Sequence, residues 1–284
     1  MKRVLVTGAN GQLGLCLQEI SKLHPTIQFA FSSSKELDIT NKESVKIAFE
    51  TSNYEYCINC AAYTNVDLAE SAINKVEEVN VLAVKNLAEV CKLNNTKLIH
   101  VSTDFVFDGK SNVPYTEKDE TNPLSVYGKT KLDGEKEIQD TLKDFFILRT
   151  SWLYSEYANN FMKTMLRLSC ERSELGVISD QIGSPTYAKD LARVIVEIIE
   201  SDSNKYGVYH YSNEGVASWY DFAKAIFDLS NTKIIVNAIP TTAYPTPAER
   251  PHYSVLDKSK LKTNLGIEIP YWRASLKEAI SLIK

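Results

Sequence analysis

The chain has 284 residues, about 1.9 times a domain of roughly 150 residues, so we expect one large domain or two closely packed ones. Its composition, 44% hydrophobic and 24% charged, is typical of a soluble globular protein and excludes wholesale disorder. The net charge of -4 provides no positive excess for a nucleic-acid backbone, so we expect no nucleic-acid partner. No apolar run approaches the roughly 18 residues that span a bilayer, and the start does not resemble a signal peptide. We therefore expect no membrane partner and a cytoplasmic location.

The pattern of the first half alternates short β-branched runs with amphipathic segments, which predicts strands and helices in turn. We expect strands at 3–7, 27–31, 56–61, 97–102 and 145–150, and helices that begin after Gly8 and at 42–51, 75–93 and 127–141. Such alternation is typical of an α/β fold with a doubly wound parallel sheet, the Rossmann type.

Beyond residue 150 the pattern loosens. We expect helices near 159–172, 188–200, 218–229 and 274–283, short strands at 175–178 and 208–211, and an irregular proline-rich stretch over 240–251. The prediction is a dinucleotide-binding domain at 1–150 and a smaller, mainly substrate-binding C-terminal domain at 151–284, with some segments returning to the sheet.

The five cysteines form an odd set without a secretory context, so we expect free thiols. Cys57 and Cys60 have C-x-x-C spacing, but they lie in an apparent strand, where this spacing points side chains to opposite faces. With no second cysteine pair and four scattered histidines, we predict no metal site.

A glycine-rich turn lies between the first strand and the first helix. Glycines with G-x-x-G-x-x-G spacing let the backbone approach a pyrophosphate, while a helix N-terminus offers free N–H groups. The alternative is a tight turn whose glycines serve packing alone. The strand-to-helix context favours a dinucleotide, held by Gly8, Asn10, Gly11, Gln12, Leu13 and Gly14.

The end of the second strand is where such folds select between NAD and NADP. Here it carries Ser33 and neighbouring serines, followed by Lys35, which could donate to and attract a 2′-phosphate. We therefore favour NADPH. Glu36 and Asp38 are close enough to reverse the preference, which keeps NADH possible.

Tyr127 and Lys131 are four residues apart, so on a helix they share one face. An ammonium about 4 Å from a phenol could lower its pKa from about 10 towards neutrality, giving a proton donor for a carbonyl oxygen. Among 15 tyrosines, chance alone predicts about one such pair. The sequence holds a second, Tyr220 and Lys224, and only the first follows the fourth strand, beside the expected cofactor crevice.

Thr103 ends that fourth strand, at the edge where open α/β sheets bind ligands. Its hydroxyl could polarise a substrate carbonyl. The alternative is that it only caps the following turn.

With these elements placed, the sequence resembles the dTDP-4-dehydrorhamnose reductase family, within the extended short-chain dehydrogenase/reductase superfamily. The resemblance spans nearly the whole chain. Its most specific motif is Ser102-Thr103-Asp104-Phe105-Val106-Phe107-Asp108-Gly109, and other matching stretches are 37–40, 61–67, 149–152, 160–161 and 180–186.

The resemblance implies an oxidoreductase of nucleotide-sugar biosynthesis that reduces the C4 carbonyl of dTDP-4-dehydro-L-rhamnose with NADPH. Thr103, Tyr127 and Lys131 would be the catalytic residues, with Lys131 on the nicotinamide ribose. Asp38 and Ile39 would flank the adenine, and Ala61, Ala62 and Tyr63 the central part of the cofactor. Val106, Trp152, Asn160 and Arg250 would contact the nucleotide sugar.

A homodimer is possible. Some relatives carry a carboxylate in a magnesium site at a dimer interface, but the matching residue here is Cys16, a poor ligand for a hard cation.

Two other functions compete. A dehydratase on this fold typically has Thr-Asp-Glu, whereas Phe105 stands in the glutamate position, which disfavours elimination; a 4-epimerase is neither supported nor forbidden. A non-catalytic regulatory subunit that binds NADP would lack catalytic side chains, and here all three are present.

Overall fold

The computed structural model describes residues 1–283. Its strands are β1 (Lys2–Thr7), β2 (Ile27–Ser32), β3 (Tyr56–Asn59), β4 (Lys97–Thr103), β5 (Phe145–Thr150), β6 (Leu153–Tyr154), β7 (Glu174–Ile178), β8 (Ile182–Gly183), β9 (Thr186–Tyr187), β10 (Gly207–His210), β11 (Ala217–Ser218) and β12 (Ile235–Ile239). Six of them form a parallel sheet in the order β10-β5-β4-β3-β1-β2. β3 and most of β1 and β5 are buried continuous runs, as expected of strands covered on both faces.

The helices are α1 (Gln12–Ser21), α2 (Lys42–Glu50), α3 (Val66–Ala69), α4 (Ile73–Glu77), α5 (Ala83–Leu93), α6 (Val126–Thr141), α7 (Phe161–Glu171), α8 (Ala188–Ser201), α9 (Trp219–Leu229), α10 (Ser259–Leu265) and α11 (Trp272–Ser281). A π-helical turn, Glu78–Leu82, joins α4 to α5. On one face of the sheet, α1 and α8 pack together; on the other lie α2, α5 and α6. Within residues 1–283, no helix is long and apolar enough to cross a membrane.

The C-terminal part adds small sheets beside the carboxyl edge of the large one. β7 pairs with β12, β8 with β11 and β6 with β9. A separate hydrophobic cluster, which includes Tyr154, Phe222 and Trp272, holds these strands to α7, α9 and α11. This part therefore has its own core.

The architecture confirms the predicted α/β fold with a parallel sheet, and most element bounds agree to within a few residues. The third strand ends at Asn59 rather than residue 61, and the helix predicted at 75–93 contains the π-helical turn. The proline-rich stretch has one 3₁₀ turn, Thr241–Ala243. The domain division at residue 150 stays a prediction; β10, from beyond it, pairs with β5 in the large sheet.

Candidate active site

The glycine turn after β1 is too tight for side chains. Gly8 has φ +67°, and a Cβ there would lie 2.6 Å from the Ala61 nitrogen. A Cβ on Gly14 would lie 2.6 Å from the Gly8 oxygen. Gly11 is the N-cap residue that directly precedes α1, where the structure of residues 1–283 shows no capping hydrogen bond from a side chain, and the neighbouring Asn10 is exposed. Close backbone approach and an uncapped helix N-terminus fit a pyrophosphate.

Gln12 connects this turn to the C-terminal part. Its Oε1 accepts hydrogen bonds from Asn160 Nδ2 at 2.9 Å and Ser155 Oγ at 3.1 Å. Leu13 is buried against the sheet in the core around α1. The side chains of Gln12 and Leu13 thus fix the turn, while its backbone lines the crevice.

The end of β2 differs from the expectation. Ser33 was predicted to donate to a phosphate, but its backbone N–H and its Oγ both donate to Glu36 Oε2, at 2.8 and 2.7 Å. These bonds hold the pKa of Glu36 below its usual value. The Asp38 carboxylate accepts from Thr40, which lowers its pKa in the same way, and Ile39 is buried. The Glu36 carboxylate therefore occupies the position after β2 at which the sequence analysis expected the Ser33 hydroxyl and Lys35 to face a 2′-phosphate.

The loop after β3 is held by a residue that the sequence analysis missed. Asn80, in the π-helical turn, accepts from Tyr63 N at 2.8 Å and donates to Tyr63 O at 3.2 Å. This fixes the backbone from Ala61 to Tyr63, including Ala62, beside the glycine turn. An asparagine within an apolar helical pattern was the available signal.

Thr103 and Tyr127 meet at the carboxyl edge of the sheet. Thr103 ends β4, and Tyr127 lies in the first turn of α6, which begins where Ser125 Oγ accepts from Gly128 N at 3.2 Å. Burial raises the pKa of Tyr127 to about 12; a hydrogen bond with the Thr103 side chain opposes this, and the charge of Asp104 adds to it. The phenol therefore keeps its proton across the physiological range.

Lys131 contradicts the prediction of an acidic tyrosine. Its Nζ donates to Val101 O at 2.7 Å and lies 3.1 Å from His100 Nε2, rather than supporting the phenol. Burial lowers the pKa of Lys131 to about 8. The helical spacing places Tyr127 and Lys131 on one face as expected, but the lysine side chain runs inward to β4. The prediction of a phenol pKa near neutrality is wrong.

Asp104 is a second residue that the sequence analysis did not assign. It is buried, Thr103 Oγ1 donates to its Oδ1 at 3.1 Å, and its Oδ2 has no hydrogen-bond partner in the described structure. Burial raises its pKa to about 6. A buried carboxyl beside Thr103 is a candidate for contact with a polar ligand; its position directly after the strand end was the signal.

Two predicted substrate contacts are used for packing. Val106 is fully buried in a cluster with Phe107 and Leu132, so its side chain does not line the crevice. Asn160 caps α7 by accepting from Lys163 N, and its amide donates to Gln12 and to the backbone of residues 155 and 157. Val106 therefore supports the site by packing, and Asn160 supports it by hydrogen bonds to Gln12 and to the backbone.

Trp152 is half-buried and holds a left-handed backbone, φ +48°. Its ring stacks on Trp219 with centroids 3.6 Å apart and planes 8° apart. One face of the predicted sugar platform is therefore covered by a second indole, whose Nε1 donates to Gln181 Oε1 at 3.2 Å.

Arg250, in the proline-rich stretch, donates to Asp67 Oδ2 at 2.8 Å. This pair lies at a cleft of about 570 Å³ that Phe161, Trp219 and two further arginines, Arg167 and Arg172, also line. The hydrogen bond from Arg250 lowers the pKa of Asp67. Several guanidinium groups beside aromatic rings suit a nucleoside diphosphate.

Comparison with known proteins agrees with this geometry. A family model described as the RmlD substrate binding domain matches residues 1–284. A dTDP-4-dehydrorhamnose reductase of Aggregatibacter actinomycetemcomitans is 45% identical over 288 residues, covering 98% of each chain. Two crystal structures of dTDP-4-dehydrorhamnose reductases, from Clostridium acetobutylicum and, in complex with NADP, from Bacillus anthracis, are each 41% identical with TM-score 0.95 over 99% of both chains. The resemblance found in the sequence is confirmed, and this chain belongs to the dTDP-4-dehydrorhamnose reductase family.

Proposed function

We propose that this protein reduces the C4 carbonyl of dTDP-4-dehydro-L-rhamnose to give dTDP-L-rhamnose, with NADPH as reductant. The observation that carries the proposal is the pairing of the Thr103 side chain with the Tyr127 phenol at the carboxyl edge of β4. The names of the relatives, and the NADP in the Bacillus anthracis structure, support the substrate and the cofactor.

The residues of the turn suit the cofactor. The backbone at Gly8, Gly11 and Gly14 and the N-terminus of α1 would hold the pyrophosphate. Asp38 and Ile39 would flank the adenine, Ala61 to Tyr63 the central part, and Lys131 the nicotinamide ribose. Bound NADPH would supply a hydride to the carbonyl carbon. NADH remains an alternative reductant because Glu36 occupies the end of β2.

Tyr127 would donate its phenolic proton to the C4 oxygen as negative charge develops there. The Thr103 hydroxyl, which donates to Asp104 Oδ1 in the free protein, would turn to donate to the same C4 oxygen and orient the carbonyl. Because the pKa of Tyr127 is raised to about 12, the proton is present at neutral pH, and it moves only when the developing alkoxide is a stronger base than the phenolate.

Trp152 and the cleft near Arg250 would position the sugar and the diphosphate. Phe105, which stands where dehydratases carry an acid, packs edge-on against the Tyr127 ring with centroids 5.8 Å apart. A phenyl group cannot remove a proton, which favours reduction over elimination.

We further propose a cytoplasmic location, because all five cysteines are free. A homodimer stays a prediction.

The test is incubation of the purified protein with NADPH and dTDP-4-dehydro-L-rhamnose, with loss of the reduced-nicotinamide absorbance and identification of the product by NMR. We expect stoichiometric formation of dTDP-L-rhamnose. A folded protein that binds NADPH and leaves the sugar unchanged would contradict the proposal and favour a non-catalytic binding role.

A further inference from the structure

The short helix α3 lies between the two halves of the site and carries carboxylates that reach in different directions. Asn65 caps the start of α3 with its side chain, and Ala69 at the end is fully buried, so the helix is anchored at both ends. Asp67 accepts from Arg250 in the proline-rich stretch at 2.8 Å. Glu70, the residue that directly follows α3, reaches α6 instead.

The Glu70 carboxylate binds the first turn of α6. Its Oε1 accepts from Val126 N at 2.9 Å, in a partly buried position, and Val126 is the first residue of that helix. The N–H groups of a first helical turn have no acceptor within the helix, and this end carries a partial positive charge, which favours a carboxylate. In the same turn, Ser125 Oγ accepts from Gly128 N at 3.2 Å. Side chains therefore hold the N–H groups on either side of Tyr127.

The first turn of α6 is also packed closely against the turn that follows β4. A Cβ on Gly128 would overlap the Phe105 carbonyl oxygen, so the two backbones are in contact. This contact sets how near α6 lies to the strand end that carries Thr103. The hydrogen bond from Val126 N to Glu70 is the restraint that comes from α3, and it acts one residue before Tyr127.

We infer that Glu70 is a positioning residue for Tyr127, and that it acts by accepting the hydrogen bond from Val126 N. Because this bond goes to the helix backbone, an uncharged acceptor of the same length serves as well as a carboxylate. A displaced proton donor slows proton transfer steeply, since the donor must lie within hydrogen-bond distance of the oxygen that it protonates. The placement of Tyr127 is a property of the free protein, whereas its benefit to turnover rests on the proposed function.

The first test compares Glu70→Ala, which removes the acceptor, with Glu70→Gln, which keeps an acceptor oxygen at the same place without the charge. We expect Glu70→Ala to lower kcat about tenfold, with the KM for the nucleotide sugar and the Kd for NADPH within about twofold of wild type. Glu70→Gln should restore kcat to near the wild-type value. If Glu70→Gln loses as much as Glu70→Ala, the charge matters rather than the bond to the helix, and the inference is wrong.

The control for general loss of stability is Asp257→Ala. Asp257 Oδ1 also accepts from the first N–H of a helix, that of Ser259 in α10, at 2.9 Å. Loss of either carboxylate should lower Tm by a few degrees, as for removal of a helix cap. Only Glu70→Ala should lower kcat. An equal loss of kcat in Asp257→Ala would mean that loosened structure, and not the placement of Tyr127, slows the reaction.

The second test needs no turnover. The Phe105 ring packs edge-on against the Tyr127 ring with centroids 5.8 Å apart, so its ring current makes the Tyr127 ring signals sensitive to position. NMR of tyrosine-labelled protein, with Tyr127→Phe to assign the signals, follows them. We expect these signals to shift in Glu70→Ala and to stay in place in Glu70→Gln and Asp257→Ala. Unchanged signals in folded Glu70→Ala overturn the inference, whatever the kinetics show.

If Glu70→Ala does not fold, Glu70→Asp decides in its place, because it keeps the charge but withdraws the acceptor by one methylene group. Shifted Tyr127 signals in Glu70→Asp support the inference, and wild-type signals overturn it. A wild-type protein that binds NADPH without reducing the sugar would contradict the proposed function alone, and the ring signals would then decide the inference by themselves.

Discussion

The Arg250 guanidinium donates to the Asp67 carboxylate at 2.8 Å, and the two residues belong to parts of the chain separated by 183 positions. Asp67 follows β3, near the loop predicted to hold the cofactor, while Arg250 lies in the proline-rich stretch. The pair therefore connects the two halves at the mouth of the cleft. A diphosphate bound there would compete with Asp67 for the guanidinium.

Arg250→Ala is expected to raise the KM for the nucleotide sugar about tenfold or more, with a smaller effect on kcat, because a charge-assisted hydrogen bond contributes about 1.5–3 kcal/mol. Steady-state kinetics with varied nucleotide sugar measures this. Arg273→Ala is the control, since Arg273 is an exposed arginine paired with Asp228. Equal KM values for the wild type and Arg250→Ala would exclude a role for Arg250 in binding the diphosphate.

Gly8→Ala is expected to abolish NADPH binding at concentrations that saturate the wild type. The new methyl group would lie 2.6 Å from the Ala61 backbone nitrogen, at a left-handed φ of +67°. Gly266→Ala is the matched control: its φ is +70°, but its Cβ meets nothing within 4 Å, so only stability suffers. Fluorescence titration with NADPH separates the two, and similar affinities for both variants would show that the glycine turn does not hold the cofactor.

Asp104→Asn is expected to stabilise the protein at pH 7. The folded pKa of about 6 exceeds the unfolded value of about 3.9, so the native state retains a proton that the unfolded state loses between these values. Wild-type stability therefore falls as pH rises through this window, by about 3 kcal/mol at most. The variant cannot ionise and escapes this loss, so its advantage should vanish below pH 4.

Urea unfolding at pH 4 and pH 7 checks this prediction. Asp108→Asn is the control of opposite sign, because hydrogen bonds from Lys110 N and Tyr115 Oη lower the pKa of Asp108. That variant should lose stability at pH 7. A destabilised Asp104→Asn at pH 7 would mean that the carboxylate is bound to a partner in the folded protein.

Glu36→Gln is expected to increase the preference for NADPH over NADH several-fold, because it removes a negative charge held beside Ser33 at the end of β2. The ratio of kcat/KM for the two cofactors measures the change. Ser33→Ala should leave the ratio nearer the wild-type value, since it keeps the carboxylate. A fall in the ratio for Glu36→Gln would show that the adenine ribose lies elsewhere.

The sequence predicted the sheet and the glycine turn well, because hydrophobic periodicity and glycine spacing are local properties. It also placed Thr103 and Tyr127 at one edge, since the carboxyl ends of parallel strands and the N-termini of the helices that follow them lie at the same edge of the sheet. The sequence did not predict the hydrogen-bond partners of polar side chains that can reach more than one group. Lys131 could reach the phenol or β4, and its contacts are with His100 and Val101 on β4, about 30 positions earlier in the chain. The same limit applies to Ser33, because the turn after β2 brings the Glu36 carboxylate within hydrogen-bond distance of its hydroxyl.

Val106 and Asn160 illustrate a related limit. A motif indicates that a residue matters without stating whether it contacts ligand or supports residues that do, and the buried packing of Val106 and the α7 cap at Asn160 are visible only in three dimensions. The sequence analysis assigned no role to Asp104 and Asn80, because these polar residues stand out only once the structure shows that they are buried.

The most direct measurement of the central claim is the rate of sugar reduction by Tyr127→Phe compared with Tyr220→Phe, the other tyrosine with a lysine four residues later. We predict that Tyr127→Phe loses roughly 10²–10⁴-fold in kcat, as for loss of a general acid, with NADPH affinity within a few-fold of wild type. Tyr220→Phe should match the wild type. Wild-type turnover by folded Tyr127→Phe would contradict the assignment of Tyr127 as the proton donor.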